Sequence, residues 1–143
     1  MIEIRDAQAM RLTIESTTDV EQRSLLERRF EQFGTIDGYD LGEVAHFLVV
    51  QPGDTMEVLD AALGFPVLGN LVDGTPYGAP GFMPSTEWIS DHGDWFEMAY
   101  VLSDDGFGWI VFVPKADGVD ASLLAMCADH ALPFNPCSDC IEF

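Results

Sequence analysis

Four residues late in the chain have the types and spacing of a metal clip: Cys127, His130, Cys137 and Cys140, in the order C-x2-H-x6-C-x2-C. Thiolates and imidazole are the donors tetrahedral zinc prefers, and two close pairs make two chelating halves. On a helix Cys127 and His130, three apart, share a face. Each residue also has a plainer role. Cys127 falls on an apolar stripe and fits as a small core residue. His130 sits in a last helical turn, where a cation complements the dipole. Cys137 and Cys140 could form a redox pair, although stable disulfides are not expected without a secretion signal. The expectation is therefore no cofactor, with zinc as the metal if one is held.

A second group is Glu87, Asp91, His92 and Asp94, in the string Glu87-Trp88-Ile89-Ser90-Asp91-His92-Gly93-Asp94-Trp95. One histidine among carboxylates suits acid/base work or a hard metal, and a carboxylate beside His92 would raise its pKa and orient it. Asp and Gly are equally the residues of any turn. His46, inside an apolar run, reads as a buried histidine with a hydrogen-bond partner. No nucleophile elbow, phosphate loop or dinucleotide fingerprint is present. Tyr77, Phe82, Trp88 and Trp95 lie in or beside an irregular stretch; turned inward they cap the core, and ringing a groove they would anchor a partner or ligand.

The charge restricts the partners. The chain carries 25 Asp and Glu against 6 Lys and Arg, a net of −19. Five of the six bases lie in residues 1–33; Lys115 alone serves the rest of the chain, which holds 18 of the acids. Such a surface repels phosphate, so direct nucleic-acid binding and attachment to an anionic membrane are not expected. Three readings of the acidity stand: solubility through self-repulsion, adaptation to high salt, and a steering surface for a basic partner, mimicry of a DNA backbone included. No stretch reaches the length of a membrane span. The opening MIEIRDAQ is charged and unlike a signal peptide, so a cytoplasmic setting is expected.

The elements that must position these residues follow from periodicity. Residues 9–15 alternate, with Met10, Leu12 and Ile14 on one side, and read as a half-buried strand, a partly helical start being the alternative. Residues 18–33 read as a helix, with a Thr18/Glu21 capping box and a stripe of Val20, Leu26, Phe30 and Phe33 before Gly34. Val44 to Val50 is an apolar run suited to a central strand. Asp54 is expected to cap a helix over 54–63, whose buried face is Met56, Leu59, Ala62 and Leu63, with Gly64 ending it. Residues 64–84 hold 5 of the 13 glycines and 4 of the 8 prolines, which excludes a long helix or central strand there. Brief pairing of Val67-Leu68 with Leu71-Val72 is compatible with that composition. Two apolar runs, 95–102 and 107–113, flank Ser103-Asp104-Asp105-Gly106 and predict a central hairpin. A last helix, 121–131, is capped by Asp120 and turns Leu123, Leu124 and Cys127 inward.

The sum is a single α+β domain over 1–143: a small, mainly antiparallel sheet with a central 95–113 hairpin, three helices (18–33, 54–63, 121–131) packed on one sheet face, and 133–143 as a mobile tail. An apolar hairpin with an uncovered edge would also favour self-association.

The strings Gly38-Tyr39-Asp40-Leu41-Gly42-Glu43, Pro52-Gly53-Asp54, Leu63-Gly64-Phe65-Pro66-Val67-Leu68, Asn70-Leu71-Val72-Asp73-Gly74 and Leu102-Ser103-Asp104-Asp105-Gly106-Phe107-Gly108 resemble those of a group of short acidic proteobacterial proteins that accompany plasmids and other mobile elements. That group has no assigned activity. The resemblance implies an accessory or regulatory role and carries no catalytic residues; the Cys137–Cys140 segment is outside the shared pattern. The first expectation is a non-enzymatic protein-interaction domain that engages a basic partner. The alternatives are an enzyme or ligand-binding protein with its site in the 87–95 loop, and a C-terminal zinc clip.

Overall fold

A computed structural model describes residues 1–34, 45–70, 73–101 and 108–133. Within them lie six strands and four helices: β1 (Ile2–Ile4), α1 (Ala7–Ser16), α2 (Val20–Gly34), β2 (Ala45–Val49), α3 (Met56–Leu63), β3 (Trp88–Asp91), β4 (Trp95–Val101), β5 (Gly108–Pro114), α4 (Ala121–His130) and the two-residue β6 (Leu132–Pro133). The strands form one sheet in the order β1-β2-β5-β4-β3-β6. The β2–β5 and β3–β6 pairs are parallel, and the other three are antiparallel. The fold is α+β, and the expected hairpin, β4–β5, occupies the middle of the sheet. Its 103–106 turn lies outside the described residues, as do Leu71-Val72, the string 38–43 and the tail from 134 onward.

Helices cover both faces of this sheet, not one. On one side Met10, Ile14, Leu25 and Leu26 of α1 and α2 pack on Ile4, Phe47, Val49, Ala99, Ile110 and Phe112. On the other, Leu59, Leu63, Leu123, Met126 and Cys127 of α3 and α4 pack on Leu48, Phe96, Met98, Tyr100, Val111 and Val113. The correction follows from the strands themselves. β5 is buried at every position, and a strand apolar on both faces must be covered on both.

The first element is also corrected: residues 7–16 are helix, not strand. The Asp6 side chain accepts from the Ala9 N–H at 2.7 Å and starts the turn. Met10 and Ile14 then meet the core one turn apart, while Leu12, the middle member of the apparent alternation, is 58% exposed. Met10, Leu12 and Ile14 together have the strand period, but Met10 and Ile14 alone also have the helical one, and the Asp6 N-cap starts a helix.

In α2 the cap is Asp19, whose Oδ1 accepts from Gln22 N–H at 2.7 Å, one residue after the expected Thr18. Val20 does not join the stripe and is 81% exposed. Leu26 is buried and Phe30 half-buried; the side chain of Phe33 lies outside the described residues. Thr55, not Asp54, caps α3; Asp54 instead accepts from Gln51 N–H at 2.8 Å. Gly64 ends α3 at φ +88°, a left-handed position that a side chain would strain. Asp120 caps α4 as expected, accepting from Leu123 N–H at 3.0 Å.

The two α2 residues separate burial from periodicity. Leu26→Ala should cost about 2–5 kcal/mol in urea denaturation, and Val20→Ala should stay within about 0.5 kcal/mol. Equal losses would contradict the placement of α2.

Candidate functional site

Among the described residues, a cluster of buried polar side chains lies between α2 and the β3–β4 hairpin. The inner face of α2 presents Gln22, Leu25, Leu26 and Arg29 at helical spacing, all buried. On β4, Trp95, Glu97 and Ala99 alternate toward the same side, and Glu97 is fully buried. Arg29 is 1% exposed and meets Glu97 with two donors, Nε to Oε2 and Nη2 to Oε1, the latter at 2.7 Å. Its Nη1 donates to Gln32 Oε1 at 2.6 Å. The guanidinium carbon also lies 5.4 Å from the ring centre of Trp88 on β3. The cation is thus held by a planar two-donor contact and an aromatic face, the contacts for which arginine is suited.

His92 completes the cluster. It stands at the tip of the β3–β4 hairpin, where Gly93 at φ +97° takes a left-handed conformation. The turn is fixed by His92 N–H to the Trp95 carbonyl (2.8 Å) and Gly93 N–H to Asp91 Oδ1 (2.9 Å). The His92 side chain is buried, and its Nε2 lies 2.9 Å from Glu97 Oε1. Glu97 is ionised, so this nitrogen is the donor. Burial alone would raise the Glu97 pKa; hydrogen bonds from Arg29 and His92, with their charges, outweigh it and hold the carboxyl below its ordinary 4.5. A carboxylate so engaged is a poor general base, and the cluster's chemistry is to fasten α2 to the hairpin.

The residues singled out from sequence are distributed as follows. The 87–95 segment is strand and tight turn, not loop, and of its four candidates His92 alone enters the buried cluster. Asp91 accepts from Lys115 Nζ at 2.7 Å. Burial would raise its pKa, but that hydrogen bond and the Gly93 N–H bring it below the usual value. Glu87 and Asp94 are exposed. The four aromatics are split between the two faces. Trp88 and Trp95 pack on the α1–α2 side and Tyr77 and Phe82 on the α3–α4 side, where Tyr77 donates its hydroxyl to Asp129 and Phe82 meets the His130 ring at 5.9 Å. The sheet stands between them, so they do not ring one groove.

Cys127 is fully buried with Sγ 3.5 Å from Met98 Sδ, and burial pushes its thiol up to about 12. His130 is exposed. Cys137 and Cys140 lie outside the described residues, and among those described no three His, Cys, Asp or Glu side chains are placed to hold a metal.

Sequence reasoning missed Arg29 and Glu97. Both carried a signal: Glu97 is a lone charge in WFEMAYV, and Arg29 is in phase with the apolar Leu25 and Leu26. No model of a known protein family, no curated protein and no solved structure matches the chain.

Arg29→Met leaves a carboxylate buried without its counter-ion and should cost about 3–5 kcal/mol in denaturant unfolding. Arg29→Met with Glu97→Met should cost less than the two single changes together; additive losses would dissolve the pair. The depressed Glu97 pKa contributes stability that is present above pH 4.5, its ordinary value, and lost as pH falls through the folded value. Glu97→Gln should therefore flatten the acid limb of stability against pH. A separate check concerns Cys127: iodoacetamide should leave it unmodified in the folded protein and label it in urea, as peptide mass spectrometry reads directly.

Proposed function

We propose that the protein is a small acidic, non-enzymatic accessory domain of the cytoplasm that acts by binding a basic protein partner. The observation that supports this is how its few cations are used. Arg29 is consumed in the core, while Arg5, Arg23 and Lys115 pair with Glu3, Glu27 and Asp91. Arg11 lies over the Phe30 ring at 5.3 Å. Exposed carboxylates such as Glu57, Asp73, Glu87 and Asp117 therefore face solvent under a net charge of −19. A field of one sign accelerates encounter with the opposite sign and disfavours nucleic acid.

The resemblance to short acidic proteins of mobile elements supports an accessory role. Among the described residues no helix is long and apolar enough to cross a membrane. Self-association, the other partner considered, is less favoured. Two copies repel, and the edge strand β1 is three residues long with Glu3 exposed, features that discourage edge pairing.

A fluorescent Lys/Arg-rich peptide should bind with an affinity that falls tenfold or more between about 50 and about 300 mM salt. A neutral peptide of equal length should not bind. Equal binding of the two, or a complex indifferent to salt, would overturn the reading. Co-purification from the native host with mass spectrometry then names the partner.

A further inference from the structure

Three cations of the protein sit in the same arrangement, with a carboxylate on one side and an aromatic ring on another. Arg5 meets Glu3 at 3.5 Å, and its guanidinium carbon is 5.3 Å from the Trp109 ring centre. Arg29 lies between Glu97 and Trp88. Lys115 meets Asp91 at 2.7 Å and stands 4.5 Å from the Phe96 ring centre. The carboxylate offers a full negative charge and the ring a negative face, and a cation is held by both at once.

A fourth ring-and-carboxylate group stands at the end of α4, and there the chain supplies no Lys or Arg. Tyr77 donates its hydroxyl to Asp129 Oδ2, which leaves Oδ1 as an acceptor. The Tyr77 and Phe82 rings meet edge to face with centres 5.5 Å apart, and the Phe82 ring meets that of His130. Tyr77 and Phe82 are half-buried and Asp129 is exposed. Met83, next in sequence to Phe82, is 65% exposed. All six Lys and Arg are among the described residues, and none of them falls in 50–87 or 116–133, the segments that build this side of the sheet. Among the described residues no cation contacts Tyr77, Phe82 or Asp129. A cation placed here therefore comes from another molecule.

The geometry selects its type. A guanidinium can lay its flat face on a ring while its edge donates to a carboxylate, which an ammonium, a point charge, cannot do as well. Its methylene stem would cover an exposed apolar neighbour such as Met83. We propose that Tyr77, Phe82, Met83 and Asp129 form the patch that takes an arginine side chain of a basic protein partner. This rests on the reading of the protein as a binder of such a partner, and it assigns the contact to the α3–α4 side of the sheet instead of to the acidic surface at large.

The test uses two fluorescent peptides of equal length and charge, one with arginine and one with lysine as its only basic residue type. Each is titrated with the full chain by anisotropy at about 150 mM salt, where exposed charges more than about 8 Å apart are largely screened. The arginine peptide should bind about threefold or more tighter than the lysine peptide. Phe82→Leu keeps apolar bulk but removes the ring, and should erase that preference. Asp129→Asn should weaken the arginine peptide about threefold or more. Glu15→Gln removes the same charge from the exposed side of α1, across the sheet, and should change binding by less than about twofold. Should Phe82→Leu not fold, the exposed Asp129 and Glu15 still decide the matter. Equal losses from Asp129→Asn and Glu15→Gln, or no preference for arginine in the wild type, would overturn the patch and leave the acidic surface as a whole as the binding element. If the wild type binds neither peptide, that broader reading fails as well.

Discussion

The buried pairing of Arg29 with Glu97 is the constraint on which the arrangement around it depends. Neither charge is tolerable alone in that interior, because desolvating an ion costs several kcal/mol even after the protein relaxes. Together, with Gln32, Trp88 and His92 around them, they are satisfied in one geometry. That geometry places the C-terminal half of α2 over β4 and draws His92 and the β3–β4 turn inward. An apolar pair of similar volume would tolerate slippage of the helix along the sheet; a two-donor guanidinium–carboxylate contact does not.

The sheet is the second constraint. Its central strands are apolar on both faces, so each face had to acquire its own pair of helices, and two cores result. This division explains the placement of the aromatic residues. Tyr77 and Phe82, brought in by the irregular segment after α3, close the core beneath α4, while Trp88 and Trp95, on neighbouring strands, close the one beneath α2. Residues near one another in sequence serve opposite sides because strand alternation and the segment's path separate them.

Electrostatics divides in the same way. Inside, Arg29 and Glu97 neutralise each other, and Glu97 is held ionised by its neighbours. Outside, several of the remaining bases are paired locally and a large excess of carboxylate faces water. A chain with this composition keeps its interior near neutral and presents its charge at the surface, which is the physical basis for reading the exterior as a surface that attracts cationic partners.

Local signals in the sequence determined several elements: the β4–β5 strands through continuous β-branched and aromatic runs, α3 through its stripe and Gly64, and α4 through Asp120. Each rests on contacts within a few residues, and such contacts are written in spacing. The identity of α1 was not legible, because Met10, Leu12 and Ile14 fit a strand while Met10 and Ile14 alone fit a helix, and only burial shows that Leu12 stays outside. Val20 was misplaced for the same reason. The Arg29–Glu97–His92 cluster lay beyond reach because Arg29 stands 68 residues before Glu97 in sequence. A lone Glu in a strand does not announce its partner. Composition alone decided that most charge must be outside; only the tertiary structure decided which charges went in, since burial of an ion depends on whether an opposite ion from a distant segment arrives at hydrogen-bonding distance.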